Sequence, residues 1–311
     1  MSTEKETPTT TNEQPPAGLP PVQPPSGRLI VQLFVVPGLI ILGVVLVLLG
    51  LNYIRQRERE PAFFIEQLES DNADIRWRGA ADLAQVLKRE EPATLRWKAD
   101  PAFALDLTKA LAKAFKDLKD EERRIGEQIA ASTDKDKELL WRKLRPQRDY
   151  VSFLVSALGE FHVPVGVPVM CDILLYKDTP DLKGNTLQRR KAMWALMNLG
   201  ENVKGFAKVP QEHRALVLTE LAKESQEQTA RGDWARTGLY YLDKSKLSSE
   251  PTGITKVDEV LVETAKADDR FMRELTAMAF NFWDGPLARR TLLALADDAG
   301  RGSVVRVEDD D

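Results

Sequence analysis

The sequence predicts an all-α protein, an array of stacked helical hairpins preceded by one membrane-spanning helix and a proline-rich tail. Three observations carry that reading. The uncharged run Leu29–Ile54, LIVQLFVVPGLIILGVVLVLLGLNYI, is longer than the roughly 20 apolar residues that a helix needs to cross a hydrocarbon core about 30 Å thick. From Pro61 onward, apolar residues recur three and four apart and nothing alternates with period two for long, which is the helical pattern. Five helical segments each carry a small residue followed by a large apolar one, and most are spaced near 40 residues apart, as in repeat arrays.

Residues 1–28 contain TPTTTNEQPPAGLPPVQPPSG, with too few apolar side chains for a core and too many prolines for helix or sheet. A disordered spacer with polyproline II character is expected. The apolar run at 29–54 is too long for a signal-peptide core and has no small-residue cleavage site after it, so it is expected to stay as an anchor. Pro37 is expected to kink or loosen that helix. Arg55, Arg57 and Arg59 follow the span, whereas Arg28 alone closely precedes it. The excess of positive charge places the C-terminal part in the cytoplasm and the tail outside.

The water-exposed part spans 61–300, with an acidic tail at 301–311 ending in Glu308-Asp-Asp-Asp311. Asp100-Pro101 reads as an N-cap with proline at the first helical position, and Pro210 and Gly285-Pro286 mark further starts. The five superposable segments are RWRGAADLAQVL, YVSFLVSALGEF, RRKAMWALMNLG, DWARTGLYYLDK and MRELTAMAFNFW. Their large apolar residues are Leu83, Leu158, Leu196, Leu239 and Phe280, at intervals of 75, 38, 43 and 41 residues. Each helix pair in such an array leaves an apolar stripe that the next pair covers, and small residues such as Ala81, Ala157, Ala195, Gly238 and Ala279 allow close approach. The charged stretch at about 119–148 interrupts the repeat. It is expected to form a helical hairpin turning at Ser132, Thr133 and Asp134, with a thin seam of Leu118, Ile125, Ile129, Leu139, Leu140 and Leu144.

These segments resemble the HEAT-repeat family. RRKAMWALMNLG, from Arg189 to Gly200, matches that family's R-x-x-A-x-x-A-L-x-x-L-G second-helix pattern, and IRWRGAADLA, from Ile75, matches its V-R-x-x-A-A-x-x-L form. RELTAMA keeps the arginine and the small residues, whereas VSFLVSALGEF keeps ALG without the arginine. The first-helix signature is clear only in VPVMCDILL at 167–175. The chain is also similar to bacterial single-pass membrane-anchored HEAT-repeat proteins. The resemblance implies an α-solenoid of about five or six helix pairs, and it specifies architecture better than activity.

The residues offer little chemistry. A net charge of −4, with 30% of residues charged, gives no basic surface, so nucleic acid is not an expected partner. The two histidines, His162 and His213, are isolated from each other and from the single cysteine, Cys171, which sits in an apolar run. Zinc-ligand spacings, phosphate-binding loops and nucleophile elbows do not occur, and Asp178-Thr-Pro-Asp181 reads as a turn. No catalytic residue, metal or cofactor is expected. Asp268-Asp269 and Asp297-Asp298 read as caps. Trp194, Trp234 and Trp283 lie inside the aligned helices and read as packing, whereas Trp97 and Trp141 stand beside cationic residues. Trp97, Trp141, Arg142 and Arg236 are therefore the expected protein-binding candidates. The repeat-forming set is Leu83, Leu158, Ala195, Leu196, Leu239 and Phe280. Arg78, Lys191 and Arg273 read as stabilisers of the second helices, a role also open to Arg236. The expectation is a membrane-held scaffold with an unidentified protein partner. The alternatives are an enzyme or assembly factor, such as a chromophore lyase, or a purely structural homo-oligomer.

Overall fold

The computed structural model describes residues 28, 35–57, 60–130, 134–176, 185–247, 253–267, 269–283 and 285–297, and among them there is helix but no strand. The Pro-rich tail, the acidic tail, the hairpin turn at Ser132 and Thr133, and the Asp178–Asp181 turn lie outside the described residues. The chain divides into two units, one ending at Arg59 and the other beginning at Glu60.

The first unit contains α1, Val36–Arg57, a helix of 22 residues. Its consecutive apolar residues are exposed on every face, Leu39, Ile40, Ile41 and Leu42 among them. Side chains are described only as far as Gly50, and over the described residues no helix is long and apolar enough to cross a membrane. The rest of the expected span, 29–34 and the side chains of 51–54, lies outside the description. Pro37 is the second residue of α1, and the kink expected there falls against residues 29–34, which lie outside the description.

In the second unit the helix starts follow local chemistry. Pro61 opens α2, Pro61–Glu69, at a position needing no N–H. The Asn72 side chain accepts a bond from Asp74 N at 2.9 Å to start α3, Ala73–Leu87. A short helix α4, Pro92–Lys98, follows. As the Asp-Pro pair predicts, Asp100 Oδ1 accepts from Ala102 N and Phe103 N at the head of α5, Pro101–Ala130. Helix α6 is Asp134–Leu158. A 3-10 turn, Pro164–Gly166, leads into α7, Val167–Leu175. Helix α8 is Asn185–Gly205. After another 3-10 turn, Phe206–Lys208, come α9, Gln211–Glu224, and α10, Ala230–Leu242, the latter capped by Thr229. Helix α11 is Val257–Ala265, and α12, Arg270–Ala279, starts with Asp269 Oδ1 accepting from Phe271 N at 3.0 Å.

These helices pack as two facing rows. Helices α3, α6, α8 and α12 lie side by side in that order, and α2, α5, α7 and α11 form the opposite row. Each member pairs with its chain neighbour, α2 with α3, α5 with α6, α7 with α8 and α11 with α12. The repeat-forming residues Leu83, Leu158, Ala195, Leu196, Leu239 and Phe280 are all buried. The contacts nonetheless correct the order that the spacing suggests. The helix of Leu239 was expected between those of Leu196 and Phe280, but α8 packs directly on α12, and the α9–α10 pair sits against α5, α7 and the 3-10 turn at Pro164. The small face of α10 is occupied by that turn, since a Cβ on Gly238 would lie 2.9 Å from Val165 Cγ1.

Glycines following the helix-row leucines make the close approaches possible. A Cβ on Gly159 would lie 2.9 Å from Ala195 Cα, so α8 touches the end of α6 at backbone distance. A Cβ on Gly200 would lie 2.7 Å from Trp283 Nε1, and that indole donates to the Leu196 carbonyl at 2.7 Å. Neither glycine has a positive φ, so the requirement is space rather than backbone conformation.

The charged stretch at 119–148 is the outward continuation of α5 and α6 rather than a separate pair of helices. Its seam includes buried Leu118, Ile125, Ile129 and Leu144. The fully buried Glu122 Oε1 accepts from Arg148 Nε at 3.1 Å and Nη2 at 3.0 Å, bridging the two arms. Removing one member of such a pair leaves the other charge buried. Arg148→Met is expected to lower stability by about 3 kcal/mol, with Glu122→Gln in the same chain recovering part of it, measured by urea denaturation. Equal stability of Arg148→Met and wild type would show that the bridge carries no weight.

Candidate partner-binding face

The outer side of the row formed by α3, α6, α8 and α12 presents aromatic and apolar side chains to solvent. Trp77 of α3 is 37% exposed and meets Phe153 of α6 edge to face, with centroids 5.5 Å apart. Leu187 and Trp194 on α8, and Phe271 and Met278 on α12, continue the exposed set, with Trp194 at 46%. Burial of apolar side chains is worth about 1.5–3 kcal/mol each, so neighbouring exposed ones on adjacent helices are a standing incentive to bind. Charge is interleaved with them. The Arg190 guanidinium lies over the Phe271 ring, 4.6 Å from its centroid, and donates to Asp269 Oδ2 at 2.8 Å. Asp269 thus caps α12 and receives Arg190, and together these bonds hold its carboxyl below the usual carboxylate range against the opposing effect of burial.

The sequence-derived candidates fare differently. Trp97 is not an exposed anchor. It is half-buried against the core, 6.1 Å from Phe64 in edge-to-face geometry, because α4 tucks its indole under α2. Arg236 is also removed from the candidates. Its guanidinium donates to the carbonyls of Ser225 and Glu227 and pairs with Asp233, clasping the α9–α10 connection. Arg142 is exposed and paired with an equally exposed Glu138 at 2.8 Å, an arrangement worth little by itself. The side chain of Trp141 lies outside the described residues. Trp194, expected as packing, is the most exposed tryptophan of the described set, whereas Trp283 is buried as expected and Trp234 is half-buried against the core. One signal in the sequence marks the face. Trp194 and Met278 each directly precede the small residue of their repeat, Ala195 and Ala279, and so occupy one outward slot on neighbouring helices.

No group of three or more His, Cys, Asp or Glu side chains that would hold a metal occurs among the described residues. Cys171 is buried, and burial together with the neighbouring Asp172 drives its thiol far from the reactive thiolate form. Burial also lowers the basicity of His162, more than its contact with the Asn202 carbonyl at 3.3 Å restores. Its backbone N–H donates to the Lys98 carbonyl at 2.9 Å, and Asn202 Nδ2 donates to the Gly159 carbonyl. His162 therefore belongs to the joint between α4, α6 and α8.

Fold and face together define a class: over the described residues, an all-helical protein built from two facing rows of helix pairs, with exposed apolar side chains on adjacent helices and no group of side chains that would hold a metal. Neither a protein-family model nor a curated protein matches the chain.

Proposed function

We propose that this protein is a membrane-held helical-repeat scaffold that binds a protein partner along the outer face of its α3–α6–α8–α12 row. The observation that carries the reading is the exposed set Trp77, Leu187, Trp194, Phe271 and Met278 on adjacent helices, with Arg190 among them. Aromatic and arginine side chains supply much of the energy of protein interfaces, and a row of parallel helices suits an extended partner segment. The HEAT-like motifs at Ile75–Ala84 and Arg189–Gly200, together with the side-by-side order of their helices, support an α-solenoid of that family.

The membrane part of the proposal rests on the 22-residue α1, whose described side chains are apolar and exposed on all sides, flanked in sequence by further apolar residues. A helix apolar all round finds its solvent in lipid or in a large core. The arginines at 55, 57 and 59 favour a cytoplasmic repeat domain.

A photo-crosslinking residue at position 194 in the full chain tests both parts. In intact cells it is expected to yield one discrete adduct with a second polypeptide, an adduct lost in Phe271→Ser/Met278→Ser, while alkaline carbonate leaves the protein in the membrane pellet. Release by carbonate would remove the anchor. An adduct of twice the chain's own mass would replace the scaffold with a homo-oligomer, and no adduct from 194 would remove the face.

A further inference from the structure

A cavity of about 390 Å³ opens where the α9–α10 pair leaves the helix rows. Phe206, Leu218 and Leu242 give it apolar walls, and Gln211, Arg214 and Asp243 are its polar and charged members. Its size falls in the range of small-molecule sites, which pair an apolar lining with a few placed polar groups.

Arg214 distinguishes this cavity from an ordinary surface cleft. It is half-buried, and its Nε is fully buried without an acceptor. The Nε atoms of Arg190 and Arg236 share that state, but every other half-buried arginine of the described residues engages an acceptor through its guanidinium: Arg76, Arg189 and Arg273 donate to carbonyls, and Arg148, Arg190, Arg231 and Arg236 pair with carboxylates. The Arg214 side chain makes no ion pair or hydrogen bond with any described residue, so its charge is open to an anion that enters the cavity. Asp243 shares the cavity wall, but its Oδ1 is engaged by Ser245, accepting from N at 3.1 Å and from Oγ at 2.6 Å. The Tyr241 hydroxyl that borders the cavity is likewise committed, donating to the Thr255 carbonyl and accepting from Val257 N.

We infer that this cavity binds a monoanionic carboxylate with an apolar body, its carboxylate paired with the Arg214 guanidinium and its body against Phe206, Leu218 and Leu242. A single guanidinium matches a carboxylate in charge and in its paired donors. Asp243 disfavours a dianion such as a phosphate monoester by like-charge repulsion. Its lining shares no residue with the exposed set Trp77, Leu187, Trp194, Phe271 and Met278, so it stands or falls independently of the scaffold reading.

The test uses the full chain in nanodiscs of zwitterionic lipid, with 4-phenylbutyrate as probe, and 4-phenylbutanol and 4-phenylbutylamine as charge controls. Ligand-observed NMR corrected for empty nanodiscs is expected to show saturable binding of the acid, at least about tenfold tighter than the alcohol, with no binding of the amine. A lost charge-assisted hydrogen bond at the weaker end of its range corresponds to about tenfold, so Arg214→Gln should weaken the acid by that factor or more and leave the alcohol unchanged. Leu218→Trp fills the cavity and should abolish binding of both while the protein melts as wild type. If Arg214→Gln fails to fold, Arg214→Lys, which keeps the charge but loses the fork, should give intermediate affinity. No saturable binding of the acid by wild type in the millimolar range, equal binding of acid and alcohol, or undiminished binding by folded Leu218→Trp would each overturn the site.

Discussion

Leu196→Asp is expected to abolish folding of the repeat domain. Leu196 is fully buried in α8, the helix that packs against α6 on one side and α12 on the other, with its pair-mate α7 behind it. An aspartate there places an unpaired carboxylate where no described cation is positioned to meet it, and it also removes the leucine's packing. Truncation to alanine alone costs about 2–5 kcal/mol at such sites, and adding a buried charge takes the total to the order of the 5–15 kcal/mol that holds a domain together. Leu196→Met should cost under about 1.5 kcal/mol because volume and polarity are kept. The control is two residues away on the same helix: Trp194→Asp changes a 46% exposed side chain and should shift stability by about 1 kcal/mol or less. Circular dichroism melts of the purified domain distinguish these outcomes. A Leu196→Asp protein that melts cooperatively at the wild-type temperature would place α8 outside the centre of the row.

Gly159→Val is the second large effect. An added Cβ would begin 2.9 Å from the Cα and 3.0 Å from the carbonyl oxygen of Ala195, both backbone atoms of α8 that cannot rotate aside. The two helices must therefore separate, and Asn202 loses its bond to the Gly159 carbonyl at the same joint. Overpacking of this kind costs about 1–3 kcal/mol and sometimes more. A loss of about 3 kcal/mol is expected for valine, and about 2 for alanine. Ala195→Gly removes only the Ala195 Cβ, a third contact at 3.0 Å, so combining it with Gly159→Ala should recover a minor part of the loss, a coupling that distant sites do not show. Additive losses in urea denaturation of the double variant would mean that the two helices do not meet there.

How much of this was legible follows from what each signal encodes. Helix starts at Asp100-Pro101 and Pro210 were readable because capping is settled within three or four residues. Burial of Leu83, Leu158, Leu196, Leu239 and Phe280 was readable because helical periodicity marks the apolar side of each helix. Periodicity does not name the covering neighbour. The intervals of 43 and 41 residues on either side of Leu239 looked like two repeats, yet they are a single step of the row, from α8 to α12, with the α9–α10 pair packed elsewhere. The surroundings of Arg236 and Trp97 were not readable for the same reason, since a cation or an indole beside charged residues in sequence says nothing of the carbonyls or rings that folding brings to it.

The sequence alone determined that the chain is helical, where many helices begin, which side of each is apolar, and that a long uncharged run precedes them. Those properties arise from interactions between residues a few positions apart. Tertiary structure alone decided that α8 meets α12, that Gly159 and Gly200 are gaps for Ala195 and Trp283, that Trp194 faces outward, and that Arg214 lines a cavity with no side-chain partner among the described residues. The helix contacts among them join residues 36 to 87 positions apart, and the spacing of apolar residues is the same whichever helix comes to cover them.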